Sequence, residues 1–402
     1  MDNPFKKILS EGLAFFQKGA TSDSVVGVDI GSSSIGGVLF EIQKKGVPKI
    51  ILSLREPIIL EDEFNVDKFL SLTVKSLDNI TNKICKTGVG EIKKISCVLS
   101  SPWYASQTRI IKYEKNVPFL FTQKLADELI KKEINLFEEE HLAQFSNSKN
   151  KVRPIEFKNI KIILNGYTSE DPYNKKVKKI EMVVFISMSG EKILKIIENA
   201  VFKHFHSRDV NFSSFAMASF TVARDLFKEQ DNFLLVDIGG EVTDISMIKK
   251  DILSDSISYP LGHNFMIRKL AKSLNCTLNE AKSLIFLYKD GHALESTEKK
   301  LEPIIGKLKM EWLKGFQESL VNLSNDISIP ANIFVTVDQE LIDFFSKIIK
   351  TEQFSQYTLT ESEFRITFLD TKTLHGYTIF KNDVNRDPFL IIESIYINRF
   401  IC

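Results

Sequence analysis

The sequence predicts an α/β protein built from two similar lobes, with a small α+β domain inserted into the first lobe. An apolar run ending in Val-Asp-Ile-Gly occurs at 25–31 and again at 233–239, and each copy is followed by a short polar turn and two further strands. The stretch 103–205 between the copies has a different character, with a Lys/Glu-rich helix and its own strands. The 402 residues therefore fit one duplicated body with an insertion better than three independent domains.

The hydrophobic pattern gives both copies the same order of elements. Runs rich in Val and Ile, bounded by Gly or Pro, predict strands, and apolar residues three and four positions apart predict helices. In the first copy, strands are predicted at 25–31, 32–42, 47–57 and 93–102, with a helix at 65–86 that Gly88 ends. In the second copy, the strands at 232–240, 241–251 and 252–262 lead into a helix at 264–275. Asp29 and Asp237 are thus predicted to be equivalent.

The region between the copies is predicted to form a separate domain. Its helices are predicted at 122–140 and 190–205, with strands at 157–169 and 179–188 between them. A helix at 212–228 then rejoins the lobes. The predicted division is an N-terminal helix at 1–20, the first lobe at 21–102 and 206–230, the insertion at 103–205, and the second lobe with a C-terminal return at 231–402.

Charge and cysteine content exclude several classes of function. The 53 Lys and Arg residues balance 52 Asp and Glu residues, so no chain-wide positive field attracts nucleic acid. The four cysteines are far apart and form no CxxC pair, which argues against a zinc site or a disulfide framework. We expect a cytoplasmic protein, since no apolar run is long enough to span a membrane.

Residues 4–18 predict an amphipathic helix that separates aromatic and aliphatic residues from lysines. Such a helix can lie in a membrane interface, dock on the body of the protein or bind a partner. Membrane contact is the favoured interpretation and puts the protein on the inner face of the cell membrane. The predicted membrane residues are Phe5, Lys6, Lys7, Ile8, Leu9, Leu13, Phe15 and Phe16.

The two VDIG turns have the chemistry of an anion site. Glycine lets backbone N–H groups approach an anion closely, and Ser32, Ser33 and Ser34 add hydroxyl donors beside Gly31. Asp29 and Asp237 at the strand ends are predicted to hold Mg²⁺, largely through its water molecules. The alternative is that each Asp only caps a turn at the end of a buried strand. Because the unit occurs twice in matching context, we favour a phosphate site.

VVGVDIGSSSIGGVLFE resembles the phosphate-1 hairpin of the actin-like ATPase superfamily, and FLLVDIGGEVTDISMI resembles the phosphate-2 hairpin. The position of the insertion and the sequence SYPLGHNFMIRKLAKSLNCTLNEAKSLI make the chain most similar to bacterial FtsA and PilM proteins. The resemblance implies an actin-like (ribonuclease H-like, duplicated) fold that binds ATP and Mg²⁺ between its lobes. The nucleotide contacts that it implies are Gly31, Ser32, Ser33, Ser34, Gly239, Gly240, Glu241, Thr243, Gly262 and Glu280.

The sequence also departs from the family pattern. Val337 and Asp338 stand where the family has two glycines against the adenosine, and Lys282 and Ile285 stand where it has residues for ribose and base. The adenosine half of the site is therefore predicted to be eroded and the phosphate half retained. Glu241 could repel a γ-phosphate, bind through the metal or point to solvent, and the last is favoured. No residue near 213–220 is suited to orient an attacking water, so we expect a slow ATPase at most.

The leading hypothesis is a membrane-associated scaffold of the FtsA/PilM type. It would bind Mg-ATP and recruit protein partners of cell division or type IV pilus assembly, or polymerise with them into filaments. The main alternative is an adaptor that works without nucleotide because adenosine no longer fits its cleft. A third hypothesis, a small-molecule kinase of the same superfamily, lacks a recognisable catalytic Asp. The C-terminal segment 389–402 is predicted to pack into the core and not to bind a membrane.

Overall fold

The structure is a computed structural model, and it describes residues 24–43, 46–88, 92–144, 151–207, 209–324, 329–350 and 364–400. The strands in chain order are β1 Ser24–Ile30, β2 Ser34–Glu41, β3 Lys49–Pro57, β4 Ile92–Leu99, β5 Ala105–Phe121, β6 Val152–Leu164, β7 Tyr167–Thr168, β8 Lys175–Gly190, β9 Val210–Ser214, β10 Phe233–Ile238, β11 Thr243–Lys249, β12 Ile252–Tyr259, β13 Asn332–Val337, β14 Arg365–Phe368 and β15 Ile379–Phe380. The helices are α1 Val66–Cys85, α2 Gln123–Gln144, α3 Glu191–Phe205, α4 Phe215–Leu226, α5 His263–Leu274, α6 Leu278–Lys289, α7 Glu295–Ser324, α8 Ile342–Lys350 and α9 Pro388–Phe400.

Two of the sheets repeat one topology. The strands of the first run in the order β3-β2-β1-β4-β9, with the short β15 beyond β3, and those of the second in the order β12-β11-β10-β13-β14. In the first sheet, β1 pairs antiparallel with β2 and parallel with β4. In the second sheet, β10 likewise pairs antiparallel with β11 and parallel with β13. This equivalence confirms the predicted two-lobed duplication.

Both faces of each repeated sheet are buried, which explains why β1 and β10 are almost continuously apolar. One face of the first sheet packs on α1 and α3, and one face of the second packs around Trp312 of α7. The remaining faces meet in a shared core with α4 and α9, where Phe220, Phe233 and Leu390 are each at most 1% exposed. The lobes are therefore joined through this core.

Local signals fix the ends of α1, the helix predicted at 65–86. The side chain of Asn65 accepts a hydrogen bond from the backbone N–H of Lys68 and so caps the first turn. Gly88 follows the helix with a φ of +64°, a conformation that glycine adopts without strain.

The third sheet comes from the chain between β4 and β9. Its strand order is β5-β8-β6-β7, and α2 packs against it through Ile130 and Phe137. The strand β6 also approaches β9 of the first sheet, where the buried Glu156 accepts hydrogen bonds from the backbone N–H of Ser214 (3.2 Å) and from its hydroxyl (2.8 Å). The inserted sheet is thus attached to the first lobe at one edge.

The C-terminal end of the described chain is a helix that packs into the core. Helix α9 is a core helix, because Leu390, Ile392 and Ile397 are fully buried, and the prediction that this segment packs into the core is confirmed. The predicted amphipathic helix at 4–18 lies outside the described residues. Among the helices that the structure describes, none is both long and apolar enough to span a membrane.

Candidate functional site

The two VDIG turns lie side by side at the base of a cleft between the lobes. The backbone N–H of Glu241 donates to the hydroxyl of Ser32 over 3.1 Å. A Cβ atom on Gly240 would lie 2.8 Å from the carbonyl oxygen of Ser32, so only glycine permits this approach. The cleft holds about 400 Å³ of empty space, part of it open to solvent, and Asp29, Ser33, Asp237, Asp244 and Asp338 are among its lining residues.

The second turn is held by the N-terminus of α5. The backbone N–H groups of Gly262, His263 and Asn264 donate to the carbonyl oxygens of Glu241, Gly239 and Gly240, at 3.0, 3.0 and 2.8 Å. A Cβ atom on Gly262 would lie 2.3 Å from one of these oxygens, which explains the glycine at this position. These N–H groups, usually the anion-binding part of a helix, are therefore occupied by protein.

Asp29 in the first turn is paired with an arginine. Nη1 of Arg55 lies 2.9 Å from a carboxylate oxygen of Asp29 and donates over 2.8 Å to the hydroxyl of Ser34. The same guanidinium donates through Nε and Nη2 to both oxygens of Asp387, at 2.5 and 2.9 Å. Asp29 and Asp387 are 2% and 8% exposed. Buried carboxylates of this kind need such a partner, and here Arg55 serves both.

A third carboxyl, Glu393 of α9, lies against Asp29 with no exposed surface. Burial and then the charge of Asp29 raise the pKa of Glu393 well above its usual value. Burial also raises the pKa of Asp29, although Arg55 opposes this effect. Glu393 therefore favours its protonated form more strongly than Asp29, whose charge Arg55 stabilises.

The second hairpin presents two carboxyls without a cation. Asp237 accepts a hydrogen bond of 2.6 Å from Thr336, and Asp244 accepts one of 2.9 Å from Ser101 and another from Ser258. Burial and then the neighbouring charge of Asp244 raise the pKa of Asp237 well above its usual value, and burial raises that of Asp244. Neither carboxylate has an ion-pair partner among the described residues. Asp237 and Asp244 therefore favour binding of a proton or a cation on this side of the cleft.

Mg²⁺ does not fit the predicted pair of Asp29 and Asp237. The carboxylate of Asp29 is already paired with Arg55, whereas the carboxylate of Asp237 has no ion-pair partner among the described residues and lines the cleft. The described part of the chain contains no group of three or more His, Cys, Asp or Glu residues placed to hold a metal ion.

Some predicted contacts lie away from the cleft. The hydroxyl of Thr243 donates to the carbonyl of Leu261 over 2.8 Å and accepts from the indole of Trp312, so this fully buried side chain points into the core. Successive residues of a strand face opposite sides, which is why Thr243 is buried while Asp244 faces the cleft. Glu280 does not reach the cleft, because its carboxylate caps α6 by bonding to Thr277.

The interpretation that Glu241 points to solvent is wrong. Its two carboxylate oxygens accept hydrogen bonds from Nη1 and Nη2 of Arg268, at 2.7 and 2.8 Å, and one of them also accepts from Asn264. Nε of Arg268 reaches the carbonyl oxygen of Glu61 in the first lobe, over 2.8 Å. Arg268 therefore ties the second turn to the opposite lobe at the mouth of the cleft.

A pocket lies beside the cleft at the place predicted for adenosine. It holds about 480 Å³ of empty space, part of it open to solvent, and shares Asp338 with the cleft. Lys282 and Ile285 line it, as do apolar residues of α5 and α8, and Nε2 of His263 lies 3.2 Å from Asp338. The side chain of Val337, in contrast, is buried in the sheet. Space for a flat apolar group thus remains despite the missing glycines.

A second concave region lies between the inserted sheet and the first lobe. This groove holds about 1060 Å³ of empty space open to solvent. It runs between β6 and β9, and its apolar lining includes Phe157, Phe212 and Phe400, of which Phe157 is 52% exposed and Phe400 41%. Within the described chain, β9 is the last strand of its sheet, and β6 is bordered on its far side only by the two-residue β7.

Sequence reasoning missed Arg55, Arg268, Asp387 and Glu393. One signal was present for Asp387: it precedes Pro388, and an Asp before a Pro at the first helical position is a helix-start pattern. Its side chain indeed accepts from the backbone N–H of Leu390. For Arg55 and Glu393 the signal was a charged residue in a run otherwise typical of a buried strand or helix.

Comparison with known proteins bears on the fold. No protein-family model and no curated protein matches the sequence. Among solved structures, the chain is similar to one in the PilM-PilN type IV pilus biogenesis complex, with a TM-score of 0.54 and 14% sequence identity over 93% of this chain and 96% of that one.

Two further likenesses are too weak to carry an argument. One is to the ethanolamine utilization protein EutJ from Carboxydothermus hydrogenoformans, with a TM-score of 0.43 and 12% identity over 93% of this chain and 90% of that one. The other is to a Bacteroides thetaiotaomicron protein with an actin-like ATPase fold and unknown function, with a TM-score of 0.36 and 9% identity over 93% of this chain and 96% of that one.

At 14% identity, the likeness to PilM establishes the fold alone. The recognition based on the two VDIG hairpins is confirmed at that level: the chain has the actin-like ATPase fold, in the form seen in PilM.

Proposed function

We propose that the chain is an adaptor with an actin-like fold that recruits a protein partner through the groove between β6 and β9. The observation that carries this proposal is an apolar, solvent-open groove between β6 and β9, two edge strands that approach each other at Glu156 and Ser214 but form no backbone ladder with each other in the described chain. Such edges offer backbone N–H and C=O groups to an extended peptide. Exposed aromatic side chains beside them provide pockets for alternate side chains of that peptide.

The expected occupant is an extended segment of another protein with alternating apolar residues. Phe157 and Phe400 expose large apolar surfaces that a partner would cover, and Lys158 lies over the rings of Phe400 and Tyr396, at 5.5 and 5.8 Å from their centroids. The PilM chain of similar fold was solved as a complex with PilN, which supports a partner in a pilus assembly. A partner in cell division is the alternative proposal.

A photo-crosslinking amino acid at Phe157 tests the groove. We expect adducts in cells from position 157 and none from Phe64, a control with similar exposure (46%) beside the cleft. The crosslinked segment, made as a synthetic peptide, should bind the purified protein by calorimetry. Phe157→Ser should weaken binding by about tenfold or more, and Phe64→Ser should leave it unchanged. Equal binding to both variants would contradict the proposal.

Nucleotide binding is a second candidate, favoured by the pocket that adjoins the cleft at Asp338. Its apolar walls would hold the adenine, and the polyphosphate would extend toward Ser33 and Asp237. Titration with ATP, adenosine and inorganic triphosphate separates the two halves of the site. Ile285→Trp should fill the pocket and abolish ATP binding, whereas Leu287→Trp, 44% exposed on the same helix, should not. No heat and no thermal shift at millimolar ATP would exclude this candidate.

Membrane attachment through residues 4–18 is also proposed, as is self-association into filaments. The separation of aromatic residues from lysines supports the former. The full chain should sediment with anionic liposomes, whereas a chain that begins at Thr21 should stay in the supernatant. Equal sedimentation of the two would remove the helix from the proposal. Light scattering of the same samples across concentrations tests self-association.

A further inference from the structure

Arg55 reaches Asp29 across the first hairpin because the strand between them carries a glycine there. In the sheet, Gly36 of β2 pairs with Asp29 on one side and with Arg55 on the other. A Cβ atom on Gly36 would lie 3.0 Å from Nη2 of Arg55 and 3.1 Å from the Cβ of Asp29. The missing side chain therefore leaves the path along which the guanidinium crosses to the carboxylate.

The guanidinium is fixed in this position by several groups at once. Its donors are directed at Asp29, Ser34 and both oxygens of Asp387, and it lines the same cleft as Asp237. An arginine of this kind is held as a planar fork and keeps its charge at all ordinary pH values. A divalent cation bound to Asp29 would have to displace it, or lie beside a positive charge in a poorly solvated site.

We infer that Arg55 permanently takes the place of a divalent cation at the first hairpin, so that Asp29 is not a metal ligand in this protein. This inference goes beyond the proposed partner recruitment and does not depend on it. If the inference holds, a nucleotide could bind without a metal at Asp29, because its phosphates would meet the guanidinium of Arg55 at the first hairpin.

Manganese is the probe for the test, because free Mn²⁺ is measured directly by electron paramagnetic resonance. We expect Asp29→Asn to leave the Mn²⁺ affinity of the full chain unchanged, at whatever level the wild-type protein shows. Arg55→Met should raise the affinity by about tenfold or more, since it leaves Asp29 and Asp387 without their cation. Adding Asp29→Asn to Arg55→Met should remove the gain, and Arg55→Lys, which keeps the charge, should show none.

Each outcome decides the question. Wild-type Mn²⁺ binding that Asp29→Asn abolishes overturns the inference, and so does a folded Arg55→Met variant without any gain. Binding that Asp237→Asn removes and Asp29→Asn leaves intact supports it, since the ion then lies on the second hairpin. If Arg55→Met does not fold, the comparison of wild type with Asp29→Asn still distinguishes the two answers.

Discussion

The two copies of the hairpin share a backbone but differ in the residues that cross it. In the first copy, the register aligns Asp29, Gly36 and Arg55 in one row across three strands. In the second copy, the equivalent row is Asp237, Asp244 and Ser258. Asp29 thus corresponds to Asp237. Gly36, which has no side chain, corresponds to the acid Asp244, and the cation Arg55 corresponds to the hydroxyl residue Ser258.

The two rows stabilise buried carboxyl groups in different ways. The first row pairs Asp29 with the guanidinium of Arg55, which reaches it over Gly36. The second row has no cation among the described residues, and burial raises the pKa of both acids. An ion pair therefore offsets the charge of Asp29 in the first hairpin, whereas the charges of Asp237 and Asp244 in the second are offset only by binding a proton or a cation.

The largest expected effect is on stability and comes from removing the cation of the first row. Arg55→Met should lower the free energy of unfolding by about 3–5 kcal/mol, because Asp29 and Asp387 are left as buried charges without a partner. Urea denaturation at neutral pH measures this loss.

The control variant is Ser258→Ala at the equivalent position of the second row. It removes one hydrogen bond to Asp244 and should cost only about 0.5–1.5 kcal/mol. Similar losses in the two variants would mean that the rows do not differ in the way described.

A smaller effect is expected from closing the gap in the first row. Gly36→Ala places a Cβ atom 2.8 Å from the side chain of Leu390 and close to Arg55, so either α9 or the guanidinium must move. We expect a loss of about 1–3 kcal/mol in the free energy of unfolding. Gly306→Ala is the matched control, since its Cβ atom meets nothing within 4 Å and alanine favours the helix. Equal stability of Gly36→Ala and wild type would show that the gap is not needed.

The fold was predictable from the sequence because its signals are local. Each signal is a hydrophobic period or a turn residue. The signals are the Val-Asp-Ile-Gly runs, the helical spacing of apolar residues at 65–86 and the changed character of 103–205. The two repeated sheets could be predicted from these signals. The prediction for β1 succeeded because a strand covered on both faces is apolar throughout.

The charge arrangement of the site was not predictable in the same way. Arg55 and Asp387 are separated by 332 positions, and nothing local indicates that a residue of β3 and a residue before α9 meet at Asp29. The pairing of Glu241 with Arg268 is closer in sequence, yet the helix N-terminus that brings them together is not fixed by sequence spacing. The erosion predicted for the adenosine half rested on two missing glycines and on Lys282 and Ile285 at the ribose and base positions, but a pocket remains there because α5, α6 and α8 form its walls.

The smallest expected effect concerns the second row and depends on pH. Because burial raises the folded-state pKa of Asp244 above its unfolded value, its contribution to stability is fully present below the unfolded pKa and is lost as pH rises through the folded pKa. Asp244→Asn removes this titration and also the charge that raises the pKa of Asp237. The variant should therefore be more stable than wild type by about 1 kcal/mol at neutral pH, and the gain should shrink toward pH ~4.

Thermal unfolding of wild type and Asp244→Asn across this range measures the difference. Asp255→Asn, on the exposed side of the neighbouring strand β12, is the control and should change the stability only slightly. A gain for Asp244→Asn that stays constant with pH would place its cause in hydrogen bonding to Ser101 and Ser258, and not in charge. A loss at neutral pH would contradict the prediction, because it would mean that the hydroxyls of Ser101 and Ser258, or a bound cation, make the charged form of Asp244 the more stable one in the folded protein.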